Sequence, residues 1–172
     1  MNYNYNSSNR IIMEKEKILS KMISISPNYL DKNLIKTLIY IIKSKYEKTC
    51  NEEDGLILSV TSIENIKNVI SKDSKEIHFF ISFKALTIKP HKDMKLSFKP
   101  SLIINKGIFG KLYDVFSVFI PESNIKDWNY DKESFKHKID EYTITKDKEV
   151  NVVITDIKFS GTKYNCICSL DL

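Results

Sequence analysis

Glycine is scarce in this chain. There are four in 172 residues, at positions 55, 107, 110 and 161. A phosphate cradle needs several glycines in one loop so that backbone N–H groups can approach the ligand, and none can be built here. Gly107 and Gly110 sit in a hairpin context with no helix behind them. Arginine is scarcer still: Arg10 is the only one, so the basic character rests on lysine. No apolar run approaches the twenty residues of a transmembrane helix. Met1 to Asn9 is rich in Asn, Tyr and Ser and lacks the charged-then-apolar order of a signal peptide, so it reads as a disordered tail. The three cysteines, Cys50, Cys166 and Cys168, are an odd number without a secretory leader, which suits a reducing, intracellular compartment.

Catalytic patterns are missing too. There is no His-Glu-x-x-His and no Gly-x-Ser-x-Gly. Cys166 and Cys168 lie on one side of a strand, but His78, His91 and His137 are scattered, so no metal site is expected. Glu52-Glu53 and Asp140-Glu141 fall in polar segments and read as solvated loops. Cys50 has no histidine near it in sequence and reads as a partly buried thiol rather than a nucleophile. The expectation is a protein with no catalytic residues and no cofactor.

An apolar share of 42% supports a packed core. The net charge of +5 hints at an acidic partner, but residues 1–89 hold 14 Lys/Arg against 10 Asp/Glu and residues 90–172 hold 13 against 12. Neither half is a concentrated basic patch, so charge alone does not argue for nucleic acid.

Along the chain, residues 18–25 alternate as a half-buried strand that Pro27 stops. Asp31 to Tyr46 is the clearest helix. Leu34, Ile35, Leu38, Ile39, Ile42 and Tyr46 form one stripe, Lys36, Lys43 and Lys45 take the other side, and Asp31 is placed to cap it. An acidic turn, Glu47-Lys48-Thr49-Cys50-Asn51-Glu52-Glu53-Asp54-Gly55, then leads into the apolar run Leu56 to Ile63, which reads as a strand covered on both faces. Asn65 to Glu76 reads as a loop with some helical turn. His78 to Ile88 is a long alternating strand. This is a small α+β unit: a sheet covered by one helix.

Lys89-Pro90 is the best boundary, because proline cannot donate to a ladder. Beyond it five strands follow: 94–104 with a break at Pro100, 107–113, 115–120, 149–159 and 162–170. The long segment 122–148 reads as polar and irregular. Five strands with an excursion between the third and fourth match the OB-fold β-barrel. Phe109, Lys111 and Tyr113 share one strand face. With Lys106, Phe119, Lys163 and Tyr164 they make a candidate single-stranded RNA surface of interleaved aromatics and cations. The alternative is that these aromatics fill the barrel.

Several segments together resemble one family. Ser26-Pro27-Asn28-Tyr29-Leu30 is similar to its proline–aromatic turn, and Asn33-Leu34-Ile35 to the start of its helix. Glu47-Lys48-Thr49-Cys50 with Gly55-Leu56-Ile57-Leu58-Ser59-Val60 resembles its Glu-Gly-x-Cys loop and buried strand. Phe83 to Pro90, Gly107-Ile108-Phe109, Phe119 to Ser123, Ile144 to Val150 and Cys168-Ser169-Leu170 resemble its crossing segment and its OB strands. The family is the larger stalk subunit of multisubunit RNA polymerases: the seventh-largest subunit of eukaryotic polymerase II and its archaeal and viral counterparts. The likeness spans about residues 18–172.

The resemblance implies a non-catalytic transcription subunit with a docking domain over 10–89 and an OB domain over 90–172. The loop Glu47 to Gly55 would insert into the polymerase core near the clamp, a smaller stalk subunit would pair with the first domain, and nascent RNA would touch the second. No membrane is implied. The location would be the nucleus, or a virion or viral factory for a viral enzyme. The composition, rich in Lys, Asn and Ile, suits a divergent member from a large DNA virus or an AT-rich parasite. Lys48 stands where the family has glycine, glycine is also absent around Glu52, and the glycine expected near Asp93 is missing, which implies altered loop geometry. A free-standing OB-fold RNA-binding or translation-type factor is the alternative function, and a purely structural adaptor a further one.

Overall fold

The computed structural model describes residues 14–29, 33–69, 76–139 and 142–171. They fall into two compact units divided between Lys89 and Pro90. The expected N-terminal tail and the capping role of Asp31 lie outside the described residues.

In the first unit a four-stranded antiparallel sheet has the order β1-β4-β3-β2, with β1 at Lys15–Ile25, β2 at Cys50–Asn51, β3 at Gly55–Val69 and β4 at Ile77–Ile88. One helix, α1 (Leu34–Tyr46), covers it. Leu38 and Ile42 are fully buried, and each contributes about 2 kcal/mol of apolar burial. They pack with Leu19, Ile23, Phe79, Ile81 and Phe83 from the sheet. The expected stripe shifts slightly. Ile35 points out at 62% exposure, while Ile41 joins the core in its place.

Strand β3 corrects one expectation. The segment from Asn65, read as a loop with helical turn, continues the strand to Val69, and residues 70–75 lie outside the described residues. Three bulges against β4, at Ile57/Ser59, Val60/Ser62 and Ile63/Asn65, give β3 three extra residues. Ile57, Val60, Ile63 and Ile66 therefore face the helix side at intervals of three. A bulged strand thus carries a spacing that mimics a helical pattern, because each bulge absorbs the residue that alternation would have flipped.

In the second unit β5 (Lys95–Phe98) and β6 (Pro100–Ile104) are one strand bent at Lys99, a residue earlier than the expected break at Pro100. With β7 (Gly107–Leu112), β8 (Phe116–Pro121), β12 (Val150–Ser160) and β13 (Lys163–Leu170) they form a sheet ordered β5-β12-β13-β8-β7-β6. The two halves of the bent strand occupy its two ends, so the sheet closes into a five-stranded barrel. Strand β13 runs parallel to β8, and every other pairing is antiparallel. This is the OB-fold connection pattern.

Gly110 makes the bend possible. A Cβ there would stand 2.2 Å from the Phe98 ring, so only glycine lets the bent strand pack across β7. The excursion expected to be irregular instead holds a second small sheet, β9 (Trp128–Asp131), β10 (Ser134–His137) and β11 (Thr143–Ile144), ordered β11-β10-β9. Trp128, Phe135 and Ile144 are its buried side chains. Four-residue strands separated by charged turns leave too little alternation to be read from sequence.

Scarcity of glycine shows in the backbone. Among the described residues, six non-glycine residues adopt positive φ: Lys48, Asp93, Tyr113, Asp114, Lys132 and Glu133. Lys132 (φ 41°) and Glu133 (φ 65°) form the two-residue turn joining β9 to β10, which favours Asn-Gly. Lys132→Asn with Glu133→Gly is expected to stabilise the protein by about 1 kcal/mol in urea denaturation. The loss of the exposed Lys146–Glu133 ion pair (2.8 Å) offsets only a few tenths of that. An unchanged or lower midpoint would contradict the assignment of turn strain.

Candidate nucleic-acid interface and docking loop

The loop from Glu47 to Gly55 is tied down at nearly every residue. The Glu47 carboxylate accepts the Val60 N–H (2.8 Å) beside the second bulge of β3. The Lys48 N–H donates to the Ile57 carbonyl (2.7 Å), and the Ile57 N–H donates to the Thr49 carbonyl (2.9 Å). The Thr49 hydroxyl donates to the Tyr46 carbonyl (2.7 Å) at the end of α1. Cys50 is buried and pairs with Leu56, and burial pushes its thiol pKa up. It is a core residue, not an exposed nucleophile.

The acidic turn divides into two parts. Glu52 and Glu53 are exposed. Asp54 is buried: its carboxylate accepts Lys21 Nζ at 3.1 Å and Asn51 Nδ2 at 3.2 Å, and its N–H donates to Asn51 Oδ1 at 2.7 Å. Asp54 therefore locks the turn from inside, and Glu52 and Glu53 are the exposed carboxylates of the acidic turn.

The missing glycines were expected to alter loop geometry, but at two of these positions the backbone is kept. Lys48 has φ 63° and Asp93 has φ 66°. Both positions keep the left-handed backbone that favours glycine, and an ordinary residue bears the strain.

On the barrel, the structure brings together three of the seven expected RNA residues. Phe109 and Phe119 pair across β7 and β8 and stack with ring centroids 4.4 Å apart at 20°. Lys111, two residues along β7, points to the same outer face. These three line an open groove of about 380 Å³ with Ser117, Asn165 and Ile167. Tyr113 sits in the β7–β8 turn at positive φ, edge-on to Phe116. Lys163 is exposed at the start of β13. Lys106 lies at the β6–β7 turn, 4.0 Å from Glu122. Tyr164 is a correction: at 3% exposure it packs inside the barrel against Phe116 and Phe159 and is unavailable to a ligand. Asn165 and Ile167, its outward neighbours, were missed. Their alternation with Tyr164, Cys166 and Cys168 was the signal that could have found them.

Cys166 and Cys168 face the barrel interior at 1% and 0% exposure. Among the described residues no group of three or more His, Cys, Asp or Glu could hold a metal ion. Burial pushes the thiol pKa values from 9.0 up to about 11 for Cys166 and, with the Cys166 charge adding to burial, to about 12 for Cys168. Unfolded, these thiols ionise near 9; folded, they stay protonated. Their stability contribution is complete below pH 9 and is lost as pH rises through about 11 to 12. Each thiol adds a slope of up to about 1.4 kcal/mol per pH unit. Urea midpoints of the native chain should fall faster above pH 9 than those of Cys166→Ala/Cys168→Ala. Parallel curves would refute this.

No helix among the described residues is long and apolar enough to cross a membrane. A helix-covered antiparallel sheet followed by a five-stranded OB barrel is the architecture of the larger stalk subunit of multisubunit RNA polymerases. Comparison with known proteins agrees. Residues 20–77 match the family described as the SHS2 domain found in the N terminus of Rpb7p/Rpc25p/MJ0397. The chain is 26% identical over 158 residues to DNA-directed RNA polymerase II subunit RPB7 of Glycine max, covering 87% of this chain and 88% of that protein. It is 26% identical to subunit rpb7 of Dictyostelium discoideum, covering 88% and 91%. It is 23% identical to subunit 7 of Arabidopsis thaliana, covering 87% and 88%. These matches support a divergent Rpb7-like stalk subunit of a DNA-directed RNA polymerase.

Proposed function

We propose that this subunit has no catalytic residues of its own, docks on the polymerase core near the clamp through the turn ending at Gly55, and contacts nascent single-stranded RNA with the outer face of its barrel. A smaller stalk subunit pairs with the first unit. The observation that carries the RNA contact is the stacked Phe109–Phe119 pair beside Lys111 in one open groove. Aromatic faces stack on any base, and a lysine beside them meets the phosphate, which gives sequence-tolerant, salt-sensitive binding. Docking is supported by the rigidity of the loop. Its Asn51–Asp54–Lys21 ties hold Glu52 and Glu53 outward on a fixed turn, suited to a basic pocket on the core.

Phe109→Ala with Lys111→Ala in the full chain should weaken single-stranded RNA binding by about 1–3 kcal/mol at fixed salt. Equal affinity with intact circular dichroism would sink the RNA assignment. Glu52→Lys with Glu53→Lys should abolish co-purification with the polymerase core. Undiminished recovery would count against the docking role.

A further inference from the structure

The groove does not stop at the β7–β8 platform. The register of five strands sets two parallel rows of outward side chains across the barrel. One row is apolar: Leu102, Phe109, Phe119 and Ile167 stand opposite one another on β6, β7, β8 and β13. Leu102 is 44% and Ile167 38% exposed. The neighbouring row is polar: Lys111, Ser117, Asn165 and Lys158 on β7, β8, β13 and β12. Lys163 lies one step beyond Asn165 on the same face of β13. Lys111, Lys158 and Lys163 make no ion pair among the described residues, whereas six other lysines do. At about 4.8 Å per strand, the Lys111-to-Lys158 row spans about 14 Å.

The charges orient the two rows. Asp156 pairs with Ile167 at the β12 end of the apolar row, and its carboxylate accepts the Ile157 N–H at 2.9 Å. A phosphodiester chain is repelled there and drawn to the lysine row. Bases, by contrast, find the Phe109–Phe119 stack and Ile167 alongside. A protein helix would bury the apolar row equally well, but it would leave the lysine row without partners of fixed spacing.

We infer that the single-stranded RNA site extends beyond β7 and β8 onto β13 and β12, with the sugar–phosphate backbone crossing the strands along Lys111, Ser117, Asn165 and Lys158 and the bases lying over Phe109, Phe119 and Ile167. This rests on the RNA reading above. It adds Asn165, Ile167 and Lys158 as contact residues and fixes the path of the strand, which runs across the β-strands rather than along them.

The test uses the full chain and fluorescently labelled oligouridylates, titrated by anisotropy across salt concentrations. Lys158→Gln should reduce the salt slope by about 0.7, the single-strand value for one phosphate, and Ile167→Ala should weaken binding severalfold at constant slope. Both positions are on the surface, so native urea midpoints are expected and serve as the control. If Phe109→Ala weakens binding while Lys158→Gln and Ile167→Ala behave as the native chain, the extension is overturned and the RNA reading stands. If the native chain binds no oligouridylate at any length, both fall.

Discussion

Gly55→Ala should open the first unit of this protein. Gly55 has φ +85°, and a Cβ built on it lies 2.3 Å from the Ile88 carbonyl oxygen and 2.9 Å from Lys89 Cα. Both obstacles are backbone atoms, so no rotamer change relieves them. The left-handed conformation costs about 1–2 kcal/mol, and forcing apart β3 and β4 at the first residues of their ladder adds about 1–3. The expected loss is about 2–5 kcal/mol, read as lost hydrogen-exchange protection across β3 and β4. Gly161→Ala is the matched control. Its φ is +65°, but a Cβ there meets nothing within 4 Å, so it should cost only about 1 kcal/mol. Equal effects at the two sites would show that close approach at Gly55 is not what selects glycine.

Breaking the Lys21–Asp54 pair should be nearly as costly, and unequally so from its two ends. The Asp54 carboxylate is 8% exposed and the Lys21 side chain 28%. Lys21→Ala leaves a buried carboxylate without its cation, an arrangement that costs about 3 kcal/mol. Asp54→Asn leaves a lysine that can swing to solvent, so it should cost about 1 kcal/mol. Lys21→Met with Asp54→Asn should recover most of the loss. Urea denaturation of the three variants checks this order. A Lys21→Ala cost below that of Asp54→Asn would overturn it. Because Asp54 holds the turn that displays Glu52 and Glu53, Lys21→Ala should also weaken co-purification with the polymerase core if that turn docks there.

Much of the fold was legible because its signals are local. The apolar spacing of α1, the alternation of β4, Lys89-Pro90 and the five strand segments of the barrel each depend on a few adjacent residues. The departures arose where a distant partner decides. Residues Asn65 to Val69 became strand because β4 pairs with them through bulges. Ile35 is exposed while Ile41 packs against the core, because the sheet and not the spacing alone selects which side of the apolar stripe is covered. The sheet at 128–144 forms around Trp128, Phe135 and Ile144, whose meeting no short window reveals.

The candidate sites divide in the same way. Glycine at 55 marked the end of the acidic turn, but only the fold showed its close packing against Ile88, turned Asp54 inward to Lys21 and left Glu52 and Glu53 outside. Residue types on β7 suggested an aromatic and cationic face, but only the register across β8, β13 and β12 assembled it into rows. It also sent Tyr164 into the core while turning Asn165 and Ile167 out. The sequence by itself determined the helix, the long strands of the first unit up to Ile63, the five barrel strands, the boundary at Pro90 and the family likeness, because these rest on backbone propensity, periodicity and local order. Tertiary structure alone decided which side chains share a face, because a strand offers two faces and its partners choose which one is buried.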